Sequence, residues 1–82
     1  SSARAQEMAE LAGGMDALEA AARATSNLQW RLELCDHLIA LARPVQELKA
    51  YTLVTLAENE INATARNTYL WVAKQLRKGV QG

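Results

Sequence analysis

The residues with the strongest potential for chemistry lie around His37, which is the only histidine of the chain. Cys35, Asp36 and Glu33 are close to it in sequence, and residues of these types are familiar metal ligands. On a helix, however, residues 35 and 37 point about 200° apart, so they cannot share one ion. Zinc needs three or four ligands, and the chain has no second Cys or His. We therefore predict no metal site and a structural role for His37.

Other reactive patterns are equally incomplete. Cys35 would need a nearby base and an orienting group to act as a nucleophile, so we interpret it as a buried thiol. Glu58 and Glu60 form no evident acid–base pair and are expected on a solvated surface. Residues 62–64, Asn-Ala-Thr, have the form of a glycosylation sequon, which matters only in a secreted eukaryotic protein. We predict no catalytic and no cofactor-binding residue in this chain.

The composition favours a small helical protein that associates with a partner. The chain has 82 residues, half of them apolar, and Ala and Leu supply most of that half. A domain this small buries only about 60% of the surface of its unfolded chain, so apolar surface remains for a partner. Nine basic residues balance nine acidic ones, which argues against nucleic-acid binding. No apolar run approaches the roughly 18 residues of a membrane span, which argues against membrane insertion.

Hydrophobic periodicity predicts an all-α fold of about five helices in one domain covering residues 1–82. Gly13-Gly14, Thr25–Asn27 and Arg43-Pro44 separate the helices, and a capping box of Ser26 and Gln29 is expected to begin the third. Asn62 or Thr64 is expected to cap the fifth helix, and Gly79 to end it before a frayed tail. The predicted helices cover residues 3–12, 15–24, 28–42, 45–60 and 63–78.

These helices are predicted to form antiparallel hairpins, the second with the third and the fourth with the fifth. The hairpins are offset by about 30 residues, near the roughly 34 of tetratricopeptide repeats, so we expect a tetratricopeptide-like helical bundle. Arg66, Asn67 and Trp71 are surface candidates on the last helix, since Trp and Arg often anchor interfaces. The alternative is that Trp71 fills a gap in the monomer.

Several segments resemble, in order, the dimerisation domain of alkyl sulfatases. The resemblance runs from about residue 10 to residue 79, and its strongest part is Ala65–Leu70, which reads Ala-Arg-Asn-Thr-Tyr-Leu. Trp30, His37, Tyr69 and Leu70 are thereby added to the candidate interface or motif residues. The other matching segments are Glu10–Gly14, Gln29-Trp30, Glu33–Leu38, Pro44, Leu56–Glu58, Ala73 and Gln75–Gly79.

The resemblance implies a non-catalytic part of a larger enzyme. Alkyl sulfatases are metallo-β-lactamase-fold hydrolases of long-chain sulfate esters, with two zinc ions in a separate N-terminal domain. Their helical domain joins two subunits, and a C-terminal lipid-transfer-like domain helps to hold the alkyl chain. Since the sequence starts without Met, we expect a piece of such a zinc-dependent enzyme, acting as a homodimer. The resemblance does not decide between a cytoplasmic and a periplasmic location.

Two other functions remain open at this point. A stand-alone tetratricopeptide-like module would bind peptides through a groove, with Arg66, Asn67 and Lys74 as the clamp. A small enzyme or metalloprotein is the third hypothesis, and it would require bound metal in stoichiometric amount.

Overall fold

The computed structural model describes residues 6–7 and 14–81 of the chain. This part is all-α, with no strand among the described residues, and it divides into two compact units, Ser1–Val45 and Gln46–Gly82. The described residues contain four helices, not about five. The predicted helix over residues 3–12 lies outside the described residues except for Gln6 and Glu7. The single domain and the tetratricopeptide-like arrangement stay predictions.

The first unit contains a hairpin of α1 (Met15–Ala24) and α2 (Leu28–Ala40). Gly14 precedes α1 with a φ of 101°, a conformation that glycine adopts without steric cost. Asp16 lies in the first turn, where the helix dipole favours a negative charge. The core of this unit consists of Leu18, Ala22, Leu34, Cys35, Leu38 and Val45.

The turn between α1 and α2 is held by two polar side chains. Arg31 of α2 donates from Nε to the carbonyl of Ala22 at 2.9 Å, and from Nη2 to the carbonyl of Thr25 at 2.6 Å. These bonds satisfy carbonyls at the end of α1 that have no partner within the helix. Asn27 caps α2, because its Oδ1 accepts a bond of 2.9 Å from the backbone N–H of Trp30. The predicted cap, Ser26, was therefore wrong by one residue.

The end of α2 differs from the prediction as well. The helix stops at Ala40 rather than residue 42, because Ala42 takes a left-handed φ of 64°. The N–H of Arg43 donates to the carbonyl of Leu38, and the N–H of Ala42 donates to that of Ile39, both at 2.9 Å. This pair of bonds is a Schellman motif, normally built on glycine. A backbone turn ends the helix ahead of Pro44.

The second unit is a hairpin of α3 (Gln46–Glu58) and α4 (Ala63–Gln81). Asn62 caps α4, as one of the two predicted candidates, because its Oδ1 accepts a 2.9 Å bond from the N–H of Ala65. Gly79 was predicted to end α4, but it lies inside the helix, which continues to Gln81 through the segment expected to fray. The buried side chains of this unit are mostly small: Ala50, Thr52, Leu53, Ala57 and Ala73.

Both hairpins are antiparallel, as predicted. In the first, Arg43, just after α2, forms an ion pair with Asp16 in the first turn of α1. In the second, Arg77 near the end of α4 pairs with Glu47 at the start of α3, with Nη2 and Oε1 2.9 Å apart. Each hairpin thus carries an arginine–carboxylate pair at the end opposite its connecting turn.

Candidate interface on the second hairpin

Five of the seven candidate interface or motif residues lie on α4, at Arg66, Asn67 and Tyr69–Trp71. Among the residues of this helix whose burial is described, Ala73 is the buried one, and it marks the side that packs on α3. Residue 71 is two positions away and therefore points about 200° around the helix from that side. The helix thus presents Trp71 outward.

Trp71 lies over a shallow depression on the surface of α4. Its side chain is 64% exposed, and the depression has a volume of about 380 Å³. A ring this exposed fills no gap between α3 and α4. The residues that line the depression with it are Thr64, Asn67 and Thr68, and we call these four residues the outer face of α4.

The other candidates on α4 occupy different sides of the helix. Arg66 and Asn67 are exposed, whereas Tyr69 is half-buried on the side that carries Ala73. Leu70 flanks the buried side and stays 43% exposed. The structure therefore gathers these residues on one helix, but it places only Asn67 and Trp71 together on the outer face. Their role in an interface stays a prediction.

Trp30 and His37 belong to the first unit. Trp30 is 44% exposed in the first turn of α2, and His37 is half-buried near the end of that helix. The backbone carbonyl of His37 accepts a 3.2 Å bond from the N–H of Leu41. Cys35 is fully buried, which confirms its interpretation as a buried thiol.

Two exposed apolar residues of the second unit were not among the predicted candidates. Tyr51, on α3, is 58% exposed, and Ile61, in the connection to α4, is 94% exposed. The sequence carried a weak signal for Tyr51, because its helical neighbours Leu48 and Thr55 form a strip distinct from the one through Leu53. Ile61 follows the polar run Glu58–Glu60, so its hydrophobicity alone suggested burial.

The main charged contact of the second unit is the pair of Glu47 and Arg77. Arg77 Nε lies 3.1 Å from both carboxylate oxygens of Glu47, and Nη2 lies 2.9 Å from Oε1. Hydrogen bonding to the guanidinium lowers the pKa of Glu47, and the same bond raises the pKa of Arg77. Both groups are accessible to solvent, so the pair orients the helices more than it stabilises them.

The described residues hold no group of three or more His, Cys, Asp or Glu side chains placed to bind a metal ion. Within the same part of the chain, every helix is too short or too polar to cross a membrane. What the described surface does offer is a set of exposed large apolar side chains.

Comparison with known proteins also points to association. Comparisons with curated proteins and with solved structures found no match. The family model described as alkyl sulfatase dimerisation matches residues 1–79, which is nearly the whole chain. Because the match covers nearly its whole length, this chain belongs to the alkyl sulfatase dimerisation family.

Proposed function

We propose that this chain is the non-catalytic segment through which two copies of an alkyl sulfatase-like enzyme associate. The family match over residues 1–79 supports self-association as its role. The observation that carries the proposal is the exposure of large apolar side chains, above all Trp71 at 64%. A solvated indole of this size costs free energy that burial against a partner recovers.

The position of these side chains supports a protein partner over a small molecule. The depression beside Trp71 is open and shallow, whereas pockets for small ligands enclose most of the ligand surface. Aromatic residues and arginine are enriched at the centres of protein interfaces, and α4 carries both. A second copy of the chain is the partner that the family description favours.

Sedimentation equilibrium of the 82-residue chain tests the association directly. From 1 to 100 micromolar, roughly the range of moderate protein affinities, we expect the weight-average mass to rise towards twice the chain mass. A mass that stays at one chain over this whole range would overturn the proposal.

We further propose that the parent protein is a zinc-dependent hydrolase of sulfate esters with a metallo-β-lactamase fold. In such an enzyme the zinc ions, the catalytic residues and a lipid-transfer-like domain lie outside this segment. The gene that encodes the chain provides the test. A His-x-His-x-Asp-His segment upstream is the expected finding, and an upstream region without it would overturn this assignment while leaving the association untouched.

A second candidate function is a peptide-binding module. The observation in its favour is that Arg66, Asn67 and Lys74 of α4 are all exposed, as a clamp for a peptide would require. Screening the chain against a peptide array separates the two functions. Saturable binding of an unrelated peptide by a strictly monomeric chain would favour this second function.

A further inference from the structure

We propose that two copies pair through the outer face of α4, with the two α4 helices antiparallel about a two-fold axis. Trp71 of each copy then lies in the depression formed by Thr64, Asn67 and Thr68 of the other copy. This inference rests on the proposed association and specifies which surface carries it.

The outer face is compatible with a copy of itself. A two-fold interface brings the same patch of both subunits together, so charged residues at its centre would meet charges of the same sign. Thr64, Asn67, Thr68 and Trp71 are all uncharged, and the depression they line, about 380 Å³ in volume, has room for a large side chain. The face therefore offers both the aromatic group and its receptor.

The spacing of these residues sets the register of the pair. Thr64 and Trp71 are seven residues apart, two helical turns, and so lie on the same side of α4. A two-fold axis midway between them passes between residues 67 and 68. Each Trp71 then opposes Thr64 of the other copy, and the two tryptophans occupy equivalent depressions.

The charges at the two ends of α4 favour the antiparallel orientation. Glu58 and Glu60 lie just before the helix begins, whereas Lys74 and Lys78 are exposed in its second half. Antiparallel pairing brings the acidic end of one copy to the basic end of the other, while parallel pairing would bring like charges together. Exposed charges contribute little affinity, so they select the orientation and the aromatic contact supplies the strength.

The first experiment compares two exposed aromatic residues of the second hairpin. Trp71→Ala is expected to raise the dimer dissociation constant at least about 30-fold, the loss typical of an interface hot spot. Tyr51→Ala is the matched control, because Tyr51 is similarly exposed but lies on α3. We expect it to change the constant less than about threefold. Sedimentation equilibrium measures both constants.

The second experiment tests the orientation through single cysteines and a short bifunctional maleimide. Thr68→Cys places its thiol beside the axis, where paired helices lie 8–10 Å apart, roughly the reach of such a reagent, so we expect a covalent dimer. Gln75→Cys is the matched control, since its two copies would lie about 22 Å apart along the antiparallel helices. The unsubstituted chain provides the background, because Cys35 is buried.

The outcomes separate this inference from the proposed function. A monomeric unsubstituted chain would overturn both. A dimer that Tyr51→Ala weakens and Trp71→Ala does not would overturn the α4 pairing but keep the association. Covalent dimers from both Thr68→Cys and Gln75→Cys would indicate parallel helices and overturn the antiparallel arrangement. A dimer that Thr68→Cys does not cross-link would place the contact elsewhere.

Discussion

The two hairpins distribute their large and small side chains in opposite ways. The first buries Leu18, Leu34, Leu38 and Val45, whereas the second buries Ala50, Ala57 and Ala73 with a single leucine, Leu53. The exposed large hydrophobic side chains show the reverse bias. Among the residues that the structure describes, two lie in the first unit, Met15 and Trp30, and four in the second, Tyr51, Ile61, Leu70 and Trp71.

Through this difference, one short chain combines a leucine-rich core with an exposed apolar surface. Alanine at the contact of α3 and α4 lets two helices approach closely without large side chains between them. The large apolar groups of that hairpin are then available on its outside. The first hairpin buries its leucines away from water, whereas the second leaves large apolar side chains exposed.

Leu38→Ala should produce the largest loss of stability, because Leu38 is fully buried in the first hairpin. We expect the free energy of unfolding to fall by about 2–5 kcal/mol, measured by urea denaturation at one fixed protein concentration. Leu70→Ala removes the same atoms from a half-exposed position beside the buried side of α4 and should cost less, about 1 kcal/mol. Equal losses would contradict the contrast between the two hairpins.

Ala73→Leu tests the close contact of the second hairpin. The side chain of Ala73 is 1% exposed, so added methyl groups would force α3 and α4 apart. The expected cost is about 1–3 kcal/mol by the same denaturation. Gln75→Leu adds a leucine to the exposed side of the same helix and serves as the control, with an expected change within about 0.5 kcal/mol. An unchanged free energy of unfolding for Ala73→Leu would mean that α3 and α4 are not in close contact at this position.

Asn27→Ala should cost about 1 kcal/mol, because it removes the side-chain oxygen that accepts the N–H of Trp30. Ser26→Ala is the matched control next to it and should change the free energy of unfolding by less than about 0.5 kcal/mol. A larger loss of stability for Ser26→Ala than for Asn27→Ala would mean that Ser26 caps α2. Thermal unfolding followed by circular dichroism resolves the difference.

The smallest effect concerns the pH dependence of the second hairpin. Because Arg77 lowers the pKa of Glu47 in the folded chain, this pair stabilises the fold above the unfolded pKa of the carboxyl. The stabilisation is lost as the pH falls through the folded pKa. Arg77→Gln should bring the pKa of Glu47 back towards its ordinary range, as read by an NMR titration of that carboxyl.

Lys78→Gln removes the same charge one residue further along α4 and is the control for this titration. Its effect on the pKa of Glu47 should be the smaller of the two, because the hydrogen bond comes from Arg77. Equal effects of both variants would mean that general charge, and not the hydrogen bond, sets the pKa.

The sequence predicted the bounds of α1 well, whereas the glycine signal at Gly79 failed because that residue lies inside α4. The bounds of α1 were predicted as residues 15–24 and confirmed, because Gly14 and Thr25–Asn27 interrupt helix formation on either side. The end of α2 was predicted two residues late. There an alanine, Ala42, adopts the left-handed conformation, and a residue that normally favours helix gives no warning of this.

The exposure of the large apolar side chains followed only in part from the sequence. Trp71 was selected from the sequence by its type, and its exposure is consistent with that choice. The exposure of Tyr51 was missed because helical periodicity shows which residues share a strip, but not which of two apolar strips faces inward. Only the packing of α3 on α4 decides that question, and packing depends on residues distant in sequence. The interface role of the selected residues stays a prediction.

The arginine–carboxylate pairs at the open ends of the hairpins determine how each unit would respond to tension. In the first hairpin the chain enters at Gly14 and leaves after Arg43, beside the contacts of Arg43 with Asp16 and Glu19. In the second hairpin, the pair of Glu47 and Arg77 joins the start of α3 to the C-terminal part of α4. A force pulling on the chain at both sides of a hairpin would load these ion pairs first and peel the helices apart sequentially. Each of these ion pairs would therefore be the first contact of its hairpin to break under tension.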